Sequence, residues 1–373
     1  MIKIGFFTGA RSEYGVMKKL ILSCLSDQRF EVKVFVTGLH LLESFGNTYK
    51  EILNDGLKIH KIIPAYKEKP QEKVHDLTAI INAVYKEVKN EDIDCGYIVG
   101  DRIEAYGFAL SLHFCNIPVI HYAGGQITKG AVDNIYRYNI SNLAFLHMVT
   151  TKKAFERLKK IPMINSENVY YSGSTAIGAI YDFQNNDISV HSLDENLPDK
   201  DFVLITFHPV TKKNENIPLI MDYIISYLVE KERHVLITYP NNDDGFLDIL
   251  EVIYKWEKNK LVYVRKNLGS LLYYAVLKNC RYVIGNSSSG FIEVPYFNKL
   301  TFNIGSRQEG RDKDNSVLNV STNINEIKNE LEKIEKNEIN LKKNEYLYGS
   351  GNAIQIIKKA IIDNLKNKTK EQK

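Results

Sequence analysis

The chain has 373 residues, of which 44% are hydrophobic and 25% are charged, proportions that are ordinary for a globular protein. Its 49 basic and 45 acidic side chains leave a net charge of +4, which is too balanced to favour nucleic acid or a membrane surface as the main partner. No apolar run is long enough to span a membrane. The first apolar residues lead into a Gly-Ala-Arg turn, which is typical of a strand rather than of a signal peptide.

The cysteines indicate the compartment. They lie far apart, show no Cys-x-x-Cys spacing and stand in or beside apolar segments, at Cys24, Cys95, Cys115 and Cys280. We interpret them as buried, reduced thiols rather than as disulfides or zinc ligands. We therefore expect a cytoplasmic protein that uses no metal and no cofactor.

Apolar strand-like runs alternate with amphipathic, helix-like segments along the whole chain. The runs that predict strands are residues 3–8, 31–36, 97–99, 119–121, 147–150, 202–206, 234–238, 261–264, 282–284 and 300–304. Residues 14–26 and 77–88 are typical of the helices between them. Such alternation predicts βαβ units, and therefore an α/β protein built from parallel sheets.

We predict two doubly wound, Rossmann-like domains facing a cleft, because the pattern restarts after about residue 175 and the length exceeds what one core usually supports. The polar segment at residues 182–201 marks the junction. The predicted boundaries are 1–178 for the first domain and 179–350 for the second. Residues 351–373 then form a helix and tail, with the helix packing back on the first domain.

The most informative polar segment follows the predicted strand at 282–284. Glycines and small hydroxyl residues in this position leave backbone N–H groups exposed at the start of the next helix, which suits a diphosphate. An acidic residue one helical turn later could bind a ribose, and two arginines add fixed positive charge. These candidates are Ser287, Ser288, Ser289, Gly290, Glu293, Arg307 and Arg311. The alternative is an ordinary serine-rich turn that caps a helix.

Two loops of the first domain carry charge where predicted strands end. Arg11 lies in the turn after the first strand, where the absence of a GxGxxG pattern argues against a dinucleotide cofactor. Asp101, Arg102 and Glu104 follow the strand at 97–99, and three such charges are costly if they are buried without partners. We interpret the second loop as ligand-binding, whereas the first loop, taken alone, is more typical of a plain turn. The alternatives are a surface arginine in a plain turn and a local ion pair between Asp101 and Arg102.

A polar loop after the strand at 119–121 leads into a helix that carries Asp133 and Arg137. Their i and i+4 spacing predicts a helical ion pair, although a carboxylate beside a cation could equally orient a substrate or move a proton. His208 stands before a proline, where the first strand of the second domain ends. It is a candidate for proton transfer.

These motifs, in this order, resemble the UDP-N-acetylglucosamine 2-epimerase family, and specifically its hydrolysing branch in sialic and related nonulosonic acid synthesis. The resemblance runs from residue 1 to about residue 365. The matching segments are T-G-A-R-S-E-Y-G at 8–15, V-T-G-L-H at 36–40, G-N-T at 46–48, G-D-R-I-E at 100–104, G-G-Q-I-T at 124–128, T-F-H-P-V-T at 206–211, G-N-S-S-S-G-F-I-E at 285–293, N-I-G-S-R-Q-E-G-R at 303–311 and Y-G-S-G at 348–351.

The resemblance implies a glycosyltransferase-B-type fold, with a UDP-sugar between a catalytic first domain and a UDP-binding second domain. In that chemistry a base removes the C2 proton, UDP leaves from C1, and water adds to the resulting 2-acetamidoglucal. The catalytic set that we assign by resemblance is Asp101, Gln126, Asp133 and His208. The substrate-binding set is Arg11, Arg102, Glu104, Arg137, Ser287, Ser288, Ser289, Gly290, Glu293, Arg307 and Arg311. The resemblance also implies a homo-oligomer, either a dimer or a tetramer.

The chain departs from the family pattern in one loop. Gln126 stands where glutamate is usual, Asn134 where an acidic residue is usual, and Tyr138 where histidine is usual. Glutamine neither gives a proton nor acts as a base near neutral pH. Two consequences are open. Either the acid–base duty has moved to a carboxylate (Asp101, Glu104 or Asp133) or to His208, or the protein acts on a different nucleotide sugar or by a different reaction.

The leading hypothesis is a hydrolysing 2-epimerase for UDP-N-acetylglucosamine or a UDP-linked diacetamido-trideoxyhexose, in nonulosonic acid or surface polysaccharide synthesis. One alternative is a glycosyltransferase of the same fold, which would require an acceptor. Another is a non-catalytic nucleotide-sugar-binding protein. A nonhydrolysing epimerase fits less well, because that branch resembles residues 100–104 and 206–211 less closely.

Overall fold

A computed structural model describes residues 1–67, 72–128, 133–210, 215–241, 245–336, 338–339, 342 and 344–371, with side chains through residue 365. The last residue of the 206–211 motif and the end of the predicted tail, residues 372–373, lie outside the described residues. The chain forms two compact units. Unit 1 comprises Met1–Gly178 and Tyr348–Lys373, and unit 2 comprises Ala179–Leu347.

The secondary structure alternates between strands and helices. In chain order the strands are β1 (Ile2–Thr8), β2 (Phe30–Val36), β3 (Lys61–Ile62), β4 (Cys95–Val99), β5 (Val119–Tyr122), β6 (Leu146–Val149), β7 (Val169–Tyr171), β8 (Phe202–Thr206), β9 (His234–Thr238), β10 (Val262–Arg265), β11 (Tyr282–Gly285), β12 (Leu300–Ile304) and β13 (Val317–Val320). The α-helices are α1 (Arg11–Leu25), α2 (Tyr49–Asn54), α3 (Lys73–Val88), α4 (Ile103–Phe114), α5 (Asp133–Leu143), α6 (Lys152–Lys159), α7 (Thr175–Gln184), α8 (Ile217–Glu230), α9 (Phe246–Trp256), α10 (Gly269–Asn279), α11 (Ser289–Ile292), α12 (Ile324–Glu335) and α13 (Ala353–Glu371). Short 3₁₀ segments are Gly38–Leu41, Glu43–Phe45, Ser166–Asn168 and Val294–Phe297.

Unit 1 contains a parallel sheet in the order β3-β2-β1-β4-β5-β6-β7. The strand order reverses between β1 and β4, which are paired in parallel. In open parallel sheets, ligands bind beyond the carboxyl ends of the strands at this reversal, because the connections leave in opposite directions and open a crevice. The loops after β1 and β4 are therefore the expected ligand-binding loops of this unit.

Successive strand residues point to opposite sides, so the apolar strands of unit 1 place side chains on both faces of the sheet. Helices cover both of these faces. Phe6 belongs to a core that it shares with Met17 and Ile21 of α1. The next residue, Phe7, packs on the other face against Phe108 of α4, with ring centroids 5.3 Å apart. Both strand residues are almost completely buried.

The C-terminal helix α13 packs on α1 of unit 1. Ile357 and Ile361 are fully buried in the core that also contains Ile21. Lys358 donates to the carbonyl of Ser23 at 2.8 Å and pairs with Asp27 at 2.7 Å. Burial of apolar side chains contributes about 25 cal/mol per Å², so the two isoleucines dominate this contact and the lysine orients it.

Unit 2 contains a parallel sheet in the order β10-β9-β8-β11-β12-β13. Its reversal lies between β8 and β11, which pair in parallel. The core on one face combines Ile205 and Ile284 from these two strands with Ile224 of α8, all of them fully buried. The loops after β8 and β11 are therefore the counterparts of the loops after β1 and β4.

The observed architecture agrees with the predicted α/β class, and every predicted strand is present with its ends within two residues of the prediction. The prediction missed β3, β7 and β13, which are short strands at the edges of the sheets. Among the described residues, no helix has the length and apolar character needed to cross a membrane.

Two glycines allow backbone conformation to be tested apart from packing, because an added Cβ would have no neighbour within 4 Å at either Gly15 or Gly56. Gly15 lies in the exposed interior of α1, whereas Gly56 follows α2 with φ at +76°. Its N–H donates to Leu53 O at 2.9 Å, and the N–H of Leu57 donates to Ile52 O at 3.2 Å, which is the capping pattern that needs a left-handed residue.

We expect Gly15→Ala to raise the free energy of unfolding by about 0.5–1 kcal/mol, because alanine is the better helix former. Gly56→Ala should lower it by about 1–2 kcal/mol, because a Cβ is unfavourable at positive φ. Urea denaturation of the two variants measures both changes. Effects of the same sign would contradict this explanation.

Candidate active site

The loop after β1 packs directly on helix α4. A Cβ at Gly9 would stand 2.5 Å from Cβ of Glu104, so this approach requires glycine. The Gly9 N–H donates to Oε2 of Glu13 at 2.6 Å. Glu13 and Glu104 are only 4% and 1% exposed, so two buried carboxyl groups flank the carboxyl end of β1.

Glu104 is held by two donors. The Tyr66 hydroxyl donates to its Oε1 at 3.0 Å, and Arg102 Nε donates to its Oε2 at 3.2 Å. Arg102 therefore pairs with a carboxylate two residues further on, and this ion pair follows the carboxyl end of β4. The predicted binding residues Arg102 and Glu104 thus contact each other, and both carboxylate oxygens of Glu104 already accept hydrogen bonds.

The guanidinium of Arg137 joins three segments of unit 1. Its Nη1 donates to the carbonyl of Gln126 at 2.7 Å and to Oδ1 of Asn134 at 2.9 Å. Its Nη2 pairs with Oδ2 of Asp101. Arg137 is only 5% exposed, whereas the Asp101 side chain keeps 26% of its surface exposed. A buried cation therefore orients a carboxylate that solvent or a ligand can still reach.

The prediction of a helical ion pair between Asp133 and Arg137 is wrong. Within the described part of the chain, Arg137 pairs with Asp101 instead. Asp133 is the first residue of α5 and is partly exposed. A buried guanidinium is costly unless a carboxylate pairs with it, while an exposed i,i+4 pair gains only a few tenths of a kcal/mol. Arg137 therefore pairs with the distant Asp101 rather than with Asp133.

Two of the residues that depart from the family pattern have definite partners. Gln126 Nε2 donates to the Thr150 hydroxyl at 2.5 Å. Asn134 accepts from the N–H of Thr128 at 3.0 Å and donates to its carbonyl at 2.6 Å, so its amide closes the loop. Residues 129–132 of this loop lie outside the described residues. The loop is therefore held by neutral amides at both ends.

Arg11 pairs with a residue outside this cluster. It is 58% exposed along its side chain, and its Nε lies 2.9 Å from a carboxylate oxygen of Glu51. The sequence predicted that this guanidinium would face the ligand. In unit 1 as described, it forms a surface ion pair with Glu51, and a ligand would have to compete with that partner.

In unit 2, a buried amide clamps the loop after β8. Asn286, fully buried after β11, accepts from the His208 N–H at 2.7 Å and donates to the His208 carbonyl at 2.8 Å. The Asn241 N–H donates to His208 Nδ1 at 3.0 Å. Because Nδ1 accepts this bond, the proton of the neutral ring lies on Nε2. Burial, together with the charge of Arg307, lowers the pKa of His208 to about 3.

The Asn286 carbonyl organises the arginine loop after β12. Arg307 Nη1 donates to it at 3.3 Å and Gln308 Nε2 donates to it at 2.9 Å. The sequence placed His208 and Arg307 in separate motifs about 100 residues apart. The structure connects both to one asparagine, and so gives unit 2 a fixed cation next to an imidazole N–H donor.

The serine segment after β11 forms a second polar group. Ser289 contacts the Tyr273 hydroxyl, and Glu293 accepts hydrogen bonds from Ser289 and Tyr274. Burial raises the pKa of the Glu293 carboxyl, and the two hydrogen bonds oppose that shift. The predicted helix start is real but short, because α11 covers only Ser289–Ile292.

The other predicted residues of this segment are described by their packing and hydrogen bonds within unit 2. Gly290 lies against Thr301, where a Cβ would come within 2.5 Å of Cγ2. The Ser287 hydroxyl accepts from the Ser289 N–H at 3.4 Å, and Ser288 stands at the N-cap position of α11, where its side chain makes no capping hydrogen bond. The Nε of Arg311 is buried and has no hydrogen-bond partner among the described residues.

Sequence reasoning missed four residues that the structure makes central to these clusters, namely Glu13, Tyr66, His121 and Asn286. Glu13 and Asn286 lie within the motifs quoted above, yet their roles depend on burial, which the motifs alone do not reveal. Within the part of the chain that the structure describes, no group of three or more His, Cys, Asp or Glu side chains could hold a metal ion. The four cysteines are free thiols.

The buried carboxyl of Glu13 predicts a pH dependence of stability. Burial and the nearby Glu104 raise its pKa to about 8 from a usual value of 4.5. The folded state therefore binds more protons than the unfolded state between these values, and stability falls as the pH rises through this window. Glu13→Gln keeps an acceptor for Gly9 and removes the titration. As the pH rises through this window, we expect the free energy of unfolding of the variant to increase relative to that of the wild type by up to about 1.4 kcal/mol per pH unit.

Urea denaturation at pH 5, 6.5 and 8 tests this expectation. Glu257→Gln, at an exposed helix end, is the control for loss of one negative charge. If the difference in free energy of unfolding between Glu13→Gln and the wild type stays constant across this range, Glu13 is ionised in the folded protein.

Two Rossmann-like units, each with polar loops at the reversal of its strand order, define a two-domain α/β protein of the glycosyltransferase-B type. The fold is confirmed by the crystal structure of UDP-GlcNAc 2-epimerase from Neisseria meningitidis bound to UDP-GlcNAc, which matches with a TM-score of 0.81 and 20% identity. The match covers 97% of this chain and 100% of that one.

The sequence profile of the UDP-N-acetylglucosamine 2-epimerase family matches residues 23–362, and the chain belongs to this family. It is 29% identical over 332 residues to UDP-N,N'-diacetylbacillosamine 2-epimerase (hydrolyzing) of Legionella pneumophila, covering 87% of this chain and 86% of the relative. It is 30% identical over 344 residues to GDP/UDP-N,N'-diacetylbacillosamine 2-epimerase (hydrolyzing) of Campylobacter jejuni, covering 90% and 88%.

Proposed function

We propose that this protein is a hydrolysing 2-epimerase, which converts a UDP-linked 2-acetamido sugar and water into UDP and the free 2-epimerised sugar. Its candidate substrates are UDP-N-acetylglucosamine and a UDP-linked 2,4-diacetamido-2,4,6-trideoxyhexose. The product would enter nonulosonic acid or surface polysaccharide synthesis. Within a chain of this family, the observation that carries the proposal is the Asp101–Arg137 pair, which joins helix α5 to the loops after β4 and β5 in unit 1.

The first step needs a positioned base, because the C2–H of the sugar is only weakly acidic. Asp101 is the best candidate among the assigned residues, because Arg137 orients its carboxylate while part of its surface stays accessible. In this step Asp101 takes the C2 proton, and the C–H electron pair forms the C1–C2 double bond. The C1–O bond breaks, and its electrons leave with UDP.

The leaving diphosphate needs fixed positive charge and hydrogen-bond donors. Arg307 supplies the charge in unit 2, and the Nε2–H of His208 supplies a donor. His208 is a poor base at neutral pH, because its Nδ1 accepts from Asn241 and its pKa lies near 3. Ser287 and Ser288 add hydroxyl groups from the loop after β11. We therefore assign His208 to leaving-group binding rather than to proton removal.

The second step adds water to the 2-acetamidoglucal. The hydroxyl of water bonds to C1, and a proton is delivered to C2 on the face opposite the one from which it was removed, so the free sugar is the 2-epimer. Gln126 is assigned a binding role, because an amide carries no transferable proton at neutral pH. Asp133 remains a candidate for the acid that returns the proton.

The proposal is tested by incubating the purified protein with each candidate UDP-sugar in deuterated water and recording proton NMR spectra. We expect UDP to appear together with a free 2-epimer that carries deuterium at C2. UDP binding without UDP release from any UDP-linked 2-acetamido sugar would overturn the proposal. Release that occurs only with an added acceptor would indicate a glycosyltransferase instead.

Two further properties belong to this proposal. We expect a homo-oligomer, either a dimer or a tetramer, and light scattering of the purified protein measures this. We also expect the protein to work in the cytoplasm, in keeping with its four free thiols.

A further inference from the structure

A buried histidine on β5 lies beneath the Asp101–Arg137 pair. His121 is fully buried, and its Nε2 lies 2.7 Å from the carbonyl oxygen of Gly100, the residue before Asp101. A carbonyl oxygen can only accept, so Nε2 carries the proton. The other ring nitrogen, Nδ1, is then an acceptor, and it lies 3.0 Å from the hydroxyl of Ser141.

Ser141 connects the same imidazole to the helix that carries Arg137. It is fully buried on α5, one turn after Arg137, and its Oγ lies 3.0 Å from the Arg137 carbonyl. Its single proton can be donated to His121 Nδ1 or to that carbonyl. When that proton is donated to Nδ1, the imidazole and the hydroxyl connect the backbone before Asp101 to helix α5, which carries Arg137.

The link also contacts the loop that leads to Gln126. A Cβ at Gly124 would lie 2.8 Å from Ser141 Oγ and 2.9 Å from His121 Nδ1, so the glycine backbone packs on the two side chains. The segments that meet at this point carry Asp101, Gln126 and Arg137. The two buried side chains therefore lie where the segments that carry these three residues come together.

We propose that His121 and Ser141 form a positioning pair, which sets the separation of the base Asp101 and its cation Arg137 in the reaction proposed above. Neither side chain is assigned contact with substrate. Their effect is exerted through the Gly100 carbonyl and through helix α5, which the imidazole and the hydroxyl join in addition to the Asp101–Arg137 ion pair. The kinetic part of this inference rests on the proposed function.

The link keeps the same form across neutral pH. Burial lowers the pKa of His121 to about 3, and the charges of His147 and Arg137 act in the same direction, against the hydrogen bond to Gly100. The imidazole is therefore neutral, with its proton on Nε2, under all conditions in which the enzyme would work. Loss of the link should accordingly change rates without adding a new ionisation to the pH profile.

His147 is a natural control for the alternative that His121 merely fills the core. It is register-paired with His121 on the neighbouring strand β6 and is only 1% exposed. Its Nδ1 has no hydrogen-bond partner among the described residues, and burial lowers its pKa to about 4. Ser111 is the matched control for Ser141, because it is also fully buried and its hydroxyl donates to the carbonyl of Gly107, one helical turn earlier, at 2.9 Å.

The test compares Ser141→Ala, His121→Asn and His121→Gln with the control variants Ser111→Ala and His147→Asn. We expect Ser141→Ala and His121→Asn to lower kcat by about 10- to 100-fold while KM changes by less than about threefold, because small misplacements of reacting groups cost rate rather than binding. His121→Gln should recover part of kcat, because its longer side chain can still donate to Gly100.

Thermal unfolding of every variant separates this effect from general destabilisation. Unchanged kcat in Ser141→Ala and His121→Asn would overturn the proposal. Equal losses in the two control variants would also overturn it, because any buried polar substitution would then act alike. A pH profile that keeps the wild-type pKa values while kcat falls supports it.

Crystal structures of the wild type and of His121→Asn decide the inference independently of turnover. Separation of Arg137 Nη2 from Asp101 Oδ2 beyond hydrogen-bonding distance in the variant supports the positioning pair, and retention of that contact overturns it. A wild-type protein that releases no UDP would defeat the proposed function alone, and the two structures would still test the link.

Discussion

The Asp101→Asn variant is expected to lose about 100- to 10,000-fold in kcat, which is the usual contribution of a positioned proton-transfer group. Asparagine preserves the size of the side chain and leaves an oxygen for Arg137, but its amide cannot accept the C2 proton. Arg137 would also lose its charged partner in a site where it is 95% buried, being only 5% exposed. UDP binding should change little, because the residues proposed to hold the diphosphate in unit 2 are untouched.

UDP release and deuterium incorporation at C2, followed by proton NMR, measure this loss. The matched control is Asp194→Asn, which breaks a two-bond ion pair with Arg265, at 2.6 Å and 3.0 Å, outside the candidate residues. Turnover of Asp101→Asn within threefold of the wild type would exclude Asp101 as the base and would bring Asp133 forward.

Arg307→Met is expected to weaken UDP binding by about 10- to 100-fold, because hydrogen bonds from a charged group contribute about 1.5–3 kcal/mol. Methionine retains much of the side-chain volume but removes the charge and the donors. The hydrogen bond from Nη1 to the Asn286 carbonyl would also be lost, while Gln308 still occupies that acceptor. The loop should therefore keep its shape, and the change in affinity should report the guanidinium itself.

Isothermal titration with UDP measures the affinity of the Arg307→Met variant. The matched control is Arg281→Met, because Arg281 lies on the same unit and pairs with Asp201 at 2.7 Å. A second readout is the His208 ring, followed by NMR titration. Its pKa should rise when the charge of Arg307 is removed, yet stay below the usual value, because burial is the larger cause of its lowering. Equal losses of affinity in both variants would contradict a specific role for Arg307.

Most strands could be predicted because a parallel sheet that is covered on both faces requires continuous apolar residues. This signal weakens at the edges of a sheet, where a strand pairs on one side only. The three strands that were missed, β3, β7 and β13, are edge strands of two, three and four residues. Their pairing is decided by the neighbouring strand rather than by their own composition.

The ion pairs show where reasoning from local spacing fails. Proximity along the chain suggested partners one residue or one helical turn apart, whereas Asp101 pairs with Arg137, 36 residues away. The two meet because β4 and β5 are adjacent in the sheet and α5 returns beside their carboxyl ends. A buried guanidinium pairs with the carboxylate that the fold brings beside it, and spacing along the chain does not contain that information.

The order of residues along the chain was enough to predict the α/β class, the family, and the loops after β1, β4, β8 and β11 as candidate ligand-binding loops. All of these follow from local patterns, namely strand–helix alternation and polar residues at strand ends. Burial and long-range contact add the rest: the raised pKa of Glu13, the clamp of Asn286 on His208, and the link through His121. These depend on which distant segments pack together and exclude water, and a single sequence read locally does not specify that.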